Sequence, residues 1–366
     1  MLKVLIVDDS PTVTDYLEFI LNSDPGIKVI GKVTNGKKAV EYLEKYPKPD
    51  VIVMDINMPE MNGIEATYRI MASHPVPIII ISNTANISEK RTSFLAIEAG
   101  AVTLFGKPSG VNSPKFKDDA KEFIEIVKLM SEVKVVKRWT RLNRKKEFAE
   151  DIKSVVIEQE KAGEIKIVAI GVSTGGPIVL QQILSLLPRD FPVPILIVQH
   201  MADGFLSTLV EWLNKISVLP LHIPADGEEI LPGHVYFAPE NYHMGVKNKS
   251  KIIFDNSGKE NYACPSISFL FRSVRENFQA NAVGVLLTGM GKDGADELKL
   301  MKEKGVVTII QDKESSVVYG MPEAAIKLNA ATLILSPREI AETLIRLTLK
   351  NDRFSNSSTN LNQRGK

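Results

Sequence analysis

In the first third of the chain, short runs rich in apolar residues over 4–7, 51–54, 78–81 and 102–105 alternate with stretches of helical spacing such as 12–21 and 37–45. A strand that is apolar at every position is buried on both faces, so this alternation predicts a parallel sheet covered by helices on each side. A helical pattern over about 114–133, with Phe123, Ile124, Ile126, Val127 and Met130 on its apolar side, closes the unit. A second series of strand runs over 165–170, 195–198, 283–287 and 306–310 predicts another sheet of the same kind.

At 366 residues the chain exceeds what one hydrophobic core usually organises, which agrees with two series. The expected fold class is α/β, with two doubly wound parallel-sheet domains over residues 1–133 and 161–350. A charged linker over 134–160 joins them, and the tail 351–366, almost without apolar residues, is expected to be disordered. Between 134 and 153 stand eight Lys or Arg residues against three acidic ones, a run that fits either a docking surface for an acidic partner or a solvated helix face. With 44% hydrophobic residues, 24% charged and a net charge of +1, the composition is that of a soluble protein, and nucleic acid and membrane surfaces are not expected partners. Cys264 is the only cysteine, which excludes an internal disulfide and a thiolate metal cluster. The apolar runs are too short to span a bilayer and the N-terminus reaches Asp8 too soon for a signal peptide, so the expected location is cytoplasmic.

Ligands of an open parallel sheet bind beyond the carboxyl ends of its strands, so the polar residues there are informative. In the first unit they are Asp8 and Asp9 after the first strand, Asp55 after the third, Ser82 after the fourth and Lys107 with Pro108 after the fifth. Three carboxylates at one edge repel one another unless a hard divalent cation neutralises them, which points to Mg²⁺. A carboxylate beside that ion can attack phosphorus while Lys107 and Ser82 hold the oxygens of the acyl phosphate, and Asp55 is the expected nucleophile. The set, with Met58, Pro59 and Gly63, resembles the response-regulator receiver family. The resemblance implies a flavodoxin-like fold, phosphorylation of Asp55 by a histidine kinase, and Mg²⁺ held by Asp8, Asp9, Asp55 and the backbone of Asn57. It also gives Ser82 and Lys107 the role of responding to the phosphate. Receivers commonly carry an aromatic switch residue where this chain has Leu104, and the neighbouring Phe105 points to the opposite strand face, which puts the aromatic form of the switch in question.

In the second unit the strand over 165–170 runs into Gly171-Val172-Ser173-Thr174-Gly175-Gly176-Pro177 and then a helical pattern with Leu180, Ile183, Leu184 and Leu187 on one face. Small residues permit a tight turn, with Gly176 expected at the N-cap and Pro177 at the first helical position. A serine displayed at a helix N-terminus suits acyl transfer, because backbone N–H groups and the helix dipole favour the developing oxyanion. The turn lacks the G-x-G-x-x-G spacing of dinucleotide sites. His200, at the carboxyl end of the strand over 195–198, should face the same crevice and suits a general base. His74, His222 and His234 read as structural, and His243 as either a cleft residue or a packed loop residue. For the carboxylate that orients the imidazole, Asp293 in the glycine-rich turn 288–294 is the first choice, with Asp296 and Asp312 left open.

Together with Gln199-His200-Met201, Leu287-Thr288-Gly289-Met290-Gly291-Lys292-Asp293-Gly294 and Val318-Tyr319-Gly320-Met321-Pro322, the serine turn resembles the chemotaxis response-regulator protein-glutamate methylesterase family. The resemblance implies a Rossmann-like three-layer hydrolase with Ser173 as nucleophile, His200 as base and Asp293 as orienting acid. Thr174 would neighbour the site, and Met290 would contribute to the oxyanion hole through its backbone. No cofactor is implied for this half. The implied substrates are glutamate methyl esters, and on some receptors glutamines, of methyl-accepting chemotaxis receptors, attacked by a monomer under phosphorylation control. Ser268 stands where relatives often have Asp, and Cys264 reads as a packed thiol rather than a second nucleophile. A phosphorylation-controlled interaction module without turnover is the alternative.

Overall fold

A computed structural model describes residues 1–82, 94–133 and 163–349. The expected linker 134–160 and tail 351–366 lie outside the described residues. The chain divides into two compact units, Met1–Arg141 with Met201–Trp212, and Leu142–His200 with Leu213–Lys366.

The first unit holds β1 (Leu2–Val7), β2 (Ile27–Val33), β3 (Val51–Asp55), β4 (Ile78–Ser82) and β5 (Thr103–Gly106), all parallel in the order β2-β1-β3-β4-β5. Every residue of β3 and β4 is buried, as their unbroken apolar runs require. β2 is not among the expected runs because it lies at the sheet edge, where Lys28 and Lys32 interrupt its apolar residues. The chain leaves β1 toward β2 on one side and returns to β3 on the other. The crevice opened by that reversal lies at the carboxyl ends of β1 and β3, beside Asp8 and Asp55.

Side chains start the flanking helices. Asn35 accepts from the Lys38 N–H at 2.9 Å and Asn62 from the Glu65 N–H at 2.9 Å, each replacing a partner the first helical turn lacks. The helix Gly63–Ser73 begins so close to β3 that a Cβ on Gly63 would stand 2.1 Å from the Asp55 carbonyl oxygen.

The second unit contains a seven-stranded parallel sheet of β6 (Ile167–Val172), β7 (Ile195–Gln199), β8 (Leu221–His222), β9 (Val235–Phe237), β12 (Ala282–Leu286), β13 (Val307–Gln311) and β14 (Leu333–Leu335). Its order is β14-β13-β12-β6-β7-β9-β8, and an antiparallel hairpin, β10 (His243–Lys247) with β11 (Lys251–Asp255), stands apart from it. Central β6 pairs with β12 on one side and β7 on the other, so the loops after these three strands share one edge. The helix Gly176–Leu184 buries Leu180, Ile183 and Leu184, as the spacing predicts.

One expectation shifts by a residue. The N-cap is Gly175, not Gly176, because the cap takes a left-handed φ of +81° that glycine adopts without strain. Gly176 becomes the first helical residue, where a Cβ would come 2.2 Å from Gln199 Oε1.

Gly63→Ala is expected to destabilise the first unit by about 2 kcal/mol or more, because the obstructing atom is backbone and cannot turn aside. Urea unfolding should show a lower midpoint for that unit, with Ser73→Ala at the exposed end of the same helix staying within about 0.5 kcal/mol.

Candidate active site

Ser173 follows β6 and is held at both ends of its peptide. Its N–H donates to the Thr288 carbonyl at 3.0 Å, and its carbonyl accepts from the Gly176 N–H and Gln199 Nε2, each at 2.9 Å. Val172 pairs with Gln199 across β6 and β7, and the His200 N–H donates to the Val172 carbonyl at 2.9 Å. Adjacent strands lie about 4.8 Å apart, so Ser173 and His200 emerge side by side at one sheet edge.

Asp293 reaches the same place from the turn after β12. Its Oδ2 stands 3.2 Å from His200 Nε2, within ion-pair range though without hydrogen-bond alignment. Asp296 is exposed, and Asp312 accepts from the Ser315 N–H and Oγ in its own loop. Of the three carboxylates left open by the sequence, Asp293 is therefore the one beside His200.

The Asp293 carboxylate is buried, and one neighbouring segment supplies its other partners. Oδ1 accepts from Asn261 Nδ2 at 3.1 Å, Ser266 Oγ at 3.1 Å, the Ser268 N–H at 3.1 Å and Ser268 Oγ at 2.7 Å, while Oδ2 accepts from the Ile267 N–H at 2.7 Å. Two of these donors are backbone N–H groups opening the helix Ile267–Phe278, a position that favours an anion. Burial pushes the carboxyl upward, but His200, Ser268 and the Ile267 N–H outweigh it and hold Asp293 well below the usual carboxylate range.

These donors are the functional contacts that sequence reasoning missed. Ser268 drew notice only as a departure from relatives, yet its hydroxyl both donates to Asp293 and accepts from the Gly294 N–H at 2.9 Å. A serine pair at 266 and 268 opening a helix was the available signal. His243 resolves to the packed alternative: Nε2 donates to the Gly258 carbonyl at 2.6 Å, and Nδ1 accepts from the Ser266 N–H at 3.0 Å. His222 Nε2 pairs with Glu228 at 2.6 Å, and His234 stacks against Tyr236.

Opposite the serine, the turn after β12 is fixed by backbone bonds. The Gly289 N–H donates to the Val318 carbonyl at 3.0 Å, and its carbonyl accepts from the Met321 N–H at 2.9 Å. A Cβ on Gly289 would lie 2.4 Å from Met321 Sδ and 2.6 Å from Ser173 Cβ, so only bare backbone fits beside the serine, and it leads directly to Met290, which is 41% exposed. The Thr174 carbonyl accepts from Thr288 Oγ1 at 2.9 Å, joining the serine turn to this one. Cys264 is half-buried and burial pushes its thiol up, an environment that does not favour a nucleophilic thiolate.

In the first unit, Lys107 Nζ stands 3.0 Å from Asp8 Oδ2 and 2.7 Å from Asp55 Oδ1, and Asp55 Oδ2 accepts from the Asn57 N–H at 2.8 Å. Asp9 is exposed, while the Ser82 hydroxyl is buried and has no hydrogen-bond partner among the described residues. Burial raises the Asp55 carboxyl above its ordinary value, helped by the Asp8 charge and opposed by Lys107 and the Asn57 N–H. Burial alone would lower Lys107, but Asp55 and Asp8 reverse this and raise it. Among the described residues no three His, Cys, Asp or Glu side chains converge as a ready metal site. Two carboxylate oxygens nevertheless converge on one cationic position, and such hard donors fit Mg²⁺. Phe105 is buried and stacks on Phe123 with ring centroids 5.5 Å apart, whereas Leu104 is only half-buried. No helix of the described residues is long and apolar enough to cross a membrane.

The two carboxylates should affect stability with opposite signs. Asp293 is depressed in the folded state, so its contribution is present above about pH 4 and is lost as pH falls from there. Asp293→Asn is expected to cost about 2 kcal/mol at pH 7, with the deficit narrowing below about pH 4 in urea titrations. Asp55 is raised, so its ionisation works against folding as pH climbs past the ordinary carboxylate value. Asp55→Asn should therefore raise the melting temperature of the first unit at pH 7 in metal-free buffer, an advantage that shrinks below about pH 4.

Comparison with known proteins follows the same division. The CheB methylesterase profile matches residues 168–344, and the response regulator receiver domain profile matches residues 4–113. A protein-glutamate methylesterase/protein-glutamine glutaminase of Geobacter metallireducens is 50% identical over 351 residues, covering 96% of this chain and 100% of that protein. One of the same description from Nitrosospira multiformis is 49% identical, covering 95% of this chain and 97% of its own length. The crystal structure of the Thermotoga maritima CheB methylesterase catalytic domain is 40% identical with a TM-score of 0.49, covering 50% of this chain and 100% of that one. With relatives this similar over nearly its whole length, the chain belongs to the CheB methylesterase family, in which a receiver domain precedes a methylesterase domain.

Proposed function

We propose that the chain is a phosphorylation-activated protein-glutamate methylesterase of chemotactic adaptation. It hydrolyses glutamate methyl esters on methyl-accepting chemotaxis receptors and releases methanol, with deamidation of receptor glutamines as a second outcome of the same acyl chemistry. The observation that supports this reading is the placement of Ser173 and His200 after adjacent strands, with Asp293 Oδ2 3.2 Å from His200 Nε2. The relatives' names point to the same substrates.

With His200 Nε2 turned toward Asp293, the other ring nitrogen is the one that takes the Ser173 proton. The serine oxygen attacks the ester carbonyl, and the backbone N–H of Met290 meets the oxyanion, with Thr174 as a further residue of the site. His200 returns its proton to the departing methoxide oxygen, giving methanol, or to the departing amide nitrogen, giving ammonia, when the substrate is glutamine. It then deprotonates the water that hydrolyses the acyl-enzyme. Asp293 stays ionised throughout and stabilises the imidazolium.

In the receiver, Asp55 takes a phosphoryl group from a histidine kinase, and Lys107 and Ser82 hold its oxygens. The Ser82 hydroxyl, without a partner among the described residues, and the lysine already drawn to Asp55 support these roles. Asp8, Asp9, Asp55 and the backbone of Asn57 would hold Mg²⁺, which supplies charge neutralisation for phosphoryl transfer.

Ser173→Ala is expected to lower methanol release from methylated receptor by about a thousandfold or more. Undiminished release would remove the serine from the mechanism, whereas no release from the native chain would favour an interaction module without turnover. Asp55→Asn should retain basal release and lose its stimulation by acetyl phosphate, and stimulation that persists would overturn the switch.

A further inference from the structure

Tyr262 sits where the fold has no use for it. The Glu260 N–H donates to the Ala263 carbonyl and the Ala263 N–H to the Glu260 carbonyl, both at 3.0 Å, closing a two-residue turn over Asn261 and Tyr262. Both central residues have positive φ, +52° and +66°. That pair of angles defines the tight hairpin turn in which Asn followed by Gly is strongly preferred. Asn261 meets the preference. Tyr262 occupies the glycine position with a bulky side chain that strains the left-handed backbone.

The ring finds no compensation among the described residues, since Tyr262 is 96% exposed. A lone exposed aromatic is ordinary on a protein surface. This one differs because of how firmly its turn is held and to what. Glu260 makes a two-pronged pair with Arg272, at 2.8 Å to Nη1 and 2.6 Å to Nη2, and Arg272 in turn lies over the Phe269 ring. Asn261 Nδ2 donates both to Asp293 and to Ser268 Oγ. Tyr262 is thus one Cα–Cα step, about 3.8 Å, from a residue bonded to the carboxylate beside His200. An aromatic ring on a rigid mount at the rim of a hydrolytic site, kept against the preference of its own backbone, is suited to contact something outside the chain.

We propose that Tyr262 is a specificity-determining contact for the protein substrate, packing its ring against the receptor surface that flanks the glutamyl ester. The inference rests on the methylesterase reading above and adds that part of the receptor's affinity is supplied beyond the ester itself. A phenol suits this place: its face covers apolar surface while its hydroxyl stays in water.

The test compares the full chain with Tyr262→Ala, Tyr262→Phe and Tyr262→Gly on two substrates, a methylated receptor fragment and the γ-methyl ester of N-acetylglutamate. Tyr262→Ala is expected to lower kcat/KM on the receptor by about tenfold, mainly through KM, and so to reduce the receptor-to-small-ester ratio. Tyr262→Phe should restore most of that ratio. Tyr262→Gly should lose the ratio while melting no lower than the native chain, since it relieves the backbone. A ratio unaltered by Tyr262→Ala, or a melting temperature that falls in Tyr262→Gly, would overturn the proposal in favour of a passive or structural ring. If the native chain releases no methanol from the receptor while hydrolysing the small ester, the methylesterase reading fails first, and the contact fails with it.

Discussion

A carboxylate remains ionised inside a protein only if other groups replace the water it has lost. The second unit's site depends on meeting that condition at Asp293. Its donors come from Asn261, Ser266, Ile267 and Ser268, all within one short stretch of chain. Satisfying the anion therefore fixes a turn, a helix N-terminus and the strand-to-helix connection after β12 together. His200 meets a charge whose direction is already set, and its ring needs little further restraint. The histidine at 243 extends the arrangement by holding the Ser266 N–H from behind.

The receiver handles crowded carboxylates differently. Asp8 and Asp55 share a single ammonium group, and among the described residues Asp55 has only the Asn57 N–H besides. A lysine on a flexible stem can move aside, whereas backbone donors cannot. Asp293 is consequently suited to orienting a neighbour without reacting, and Asp55 keeps oxygen lone pairs that a phosphorus centre can reach. The opposite shifts of the two carboxyls express the same difference.

The central strands were legible because burial on both faces leaves an unbroken apolar run, as in 78–81 and 195–198. Strands at or next to the sheet edges carried no such mark. β2 is interrupted by lysines, β8 has two residues, and β9 and β14 have three each, too short for any periodicity to register. Ser173 and His200 were readable because a serine turn and a strand-end histidine are local features. Asp293 could be ranked but not separated from Asp296 and Asp312, since its distinction lies in donors 25 to 32 residues away in the chain. Asn261 carried no signal at all, because a turn asparagine looks alike whether it caps nothing or steadies a distant acid.

Gly289 carries a last consequence. Since no side chain fits between it and Ser173, the ceiling over the serine is peptide rather than residue. The Gly289 N–H and carbonyl are already bonded to Val318 and Met321, so this wall is fixed by backbone that changes of side chain elsewhere leave in place. Variation at this wall must then come from the side chains around it, which can change without moving the backbone beside Ser173.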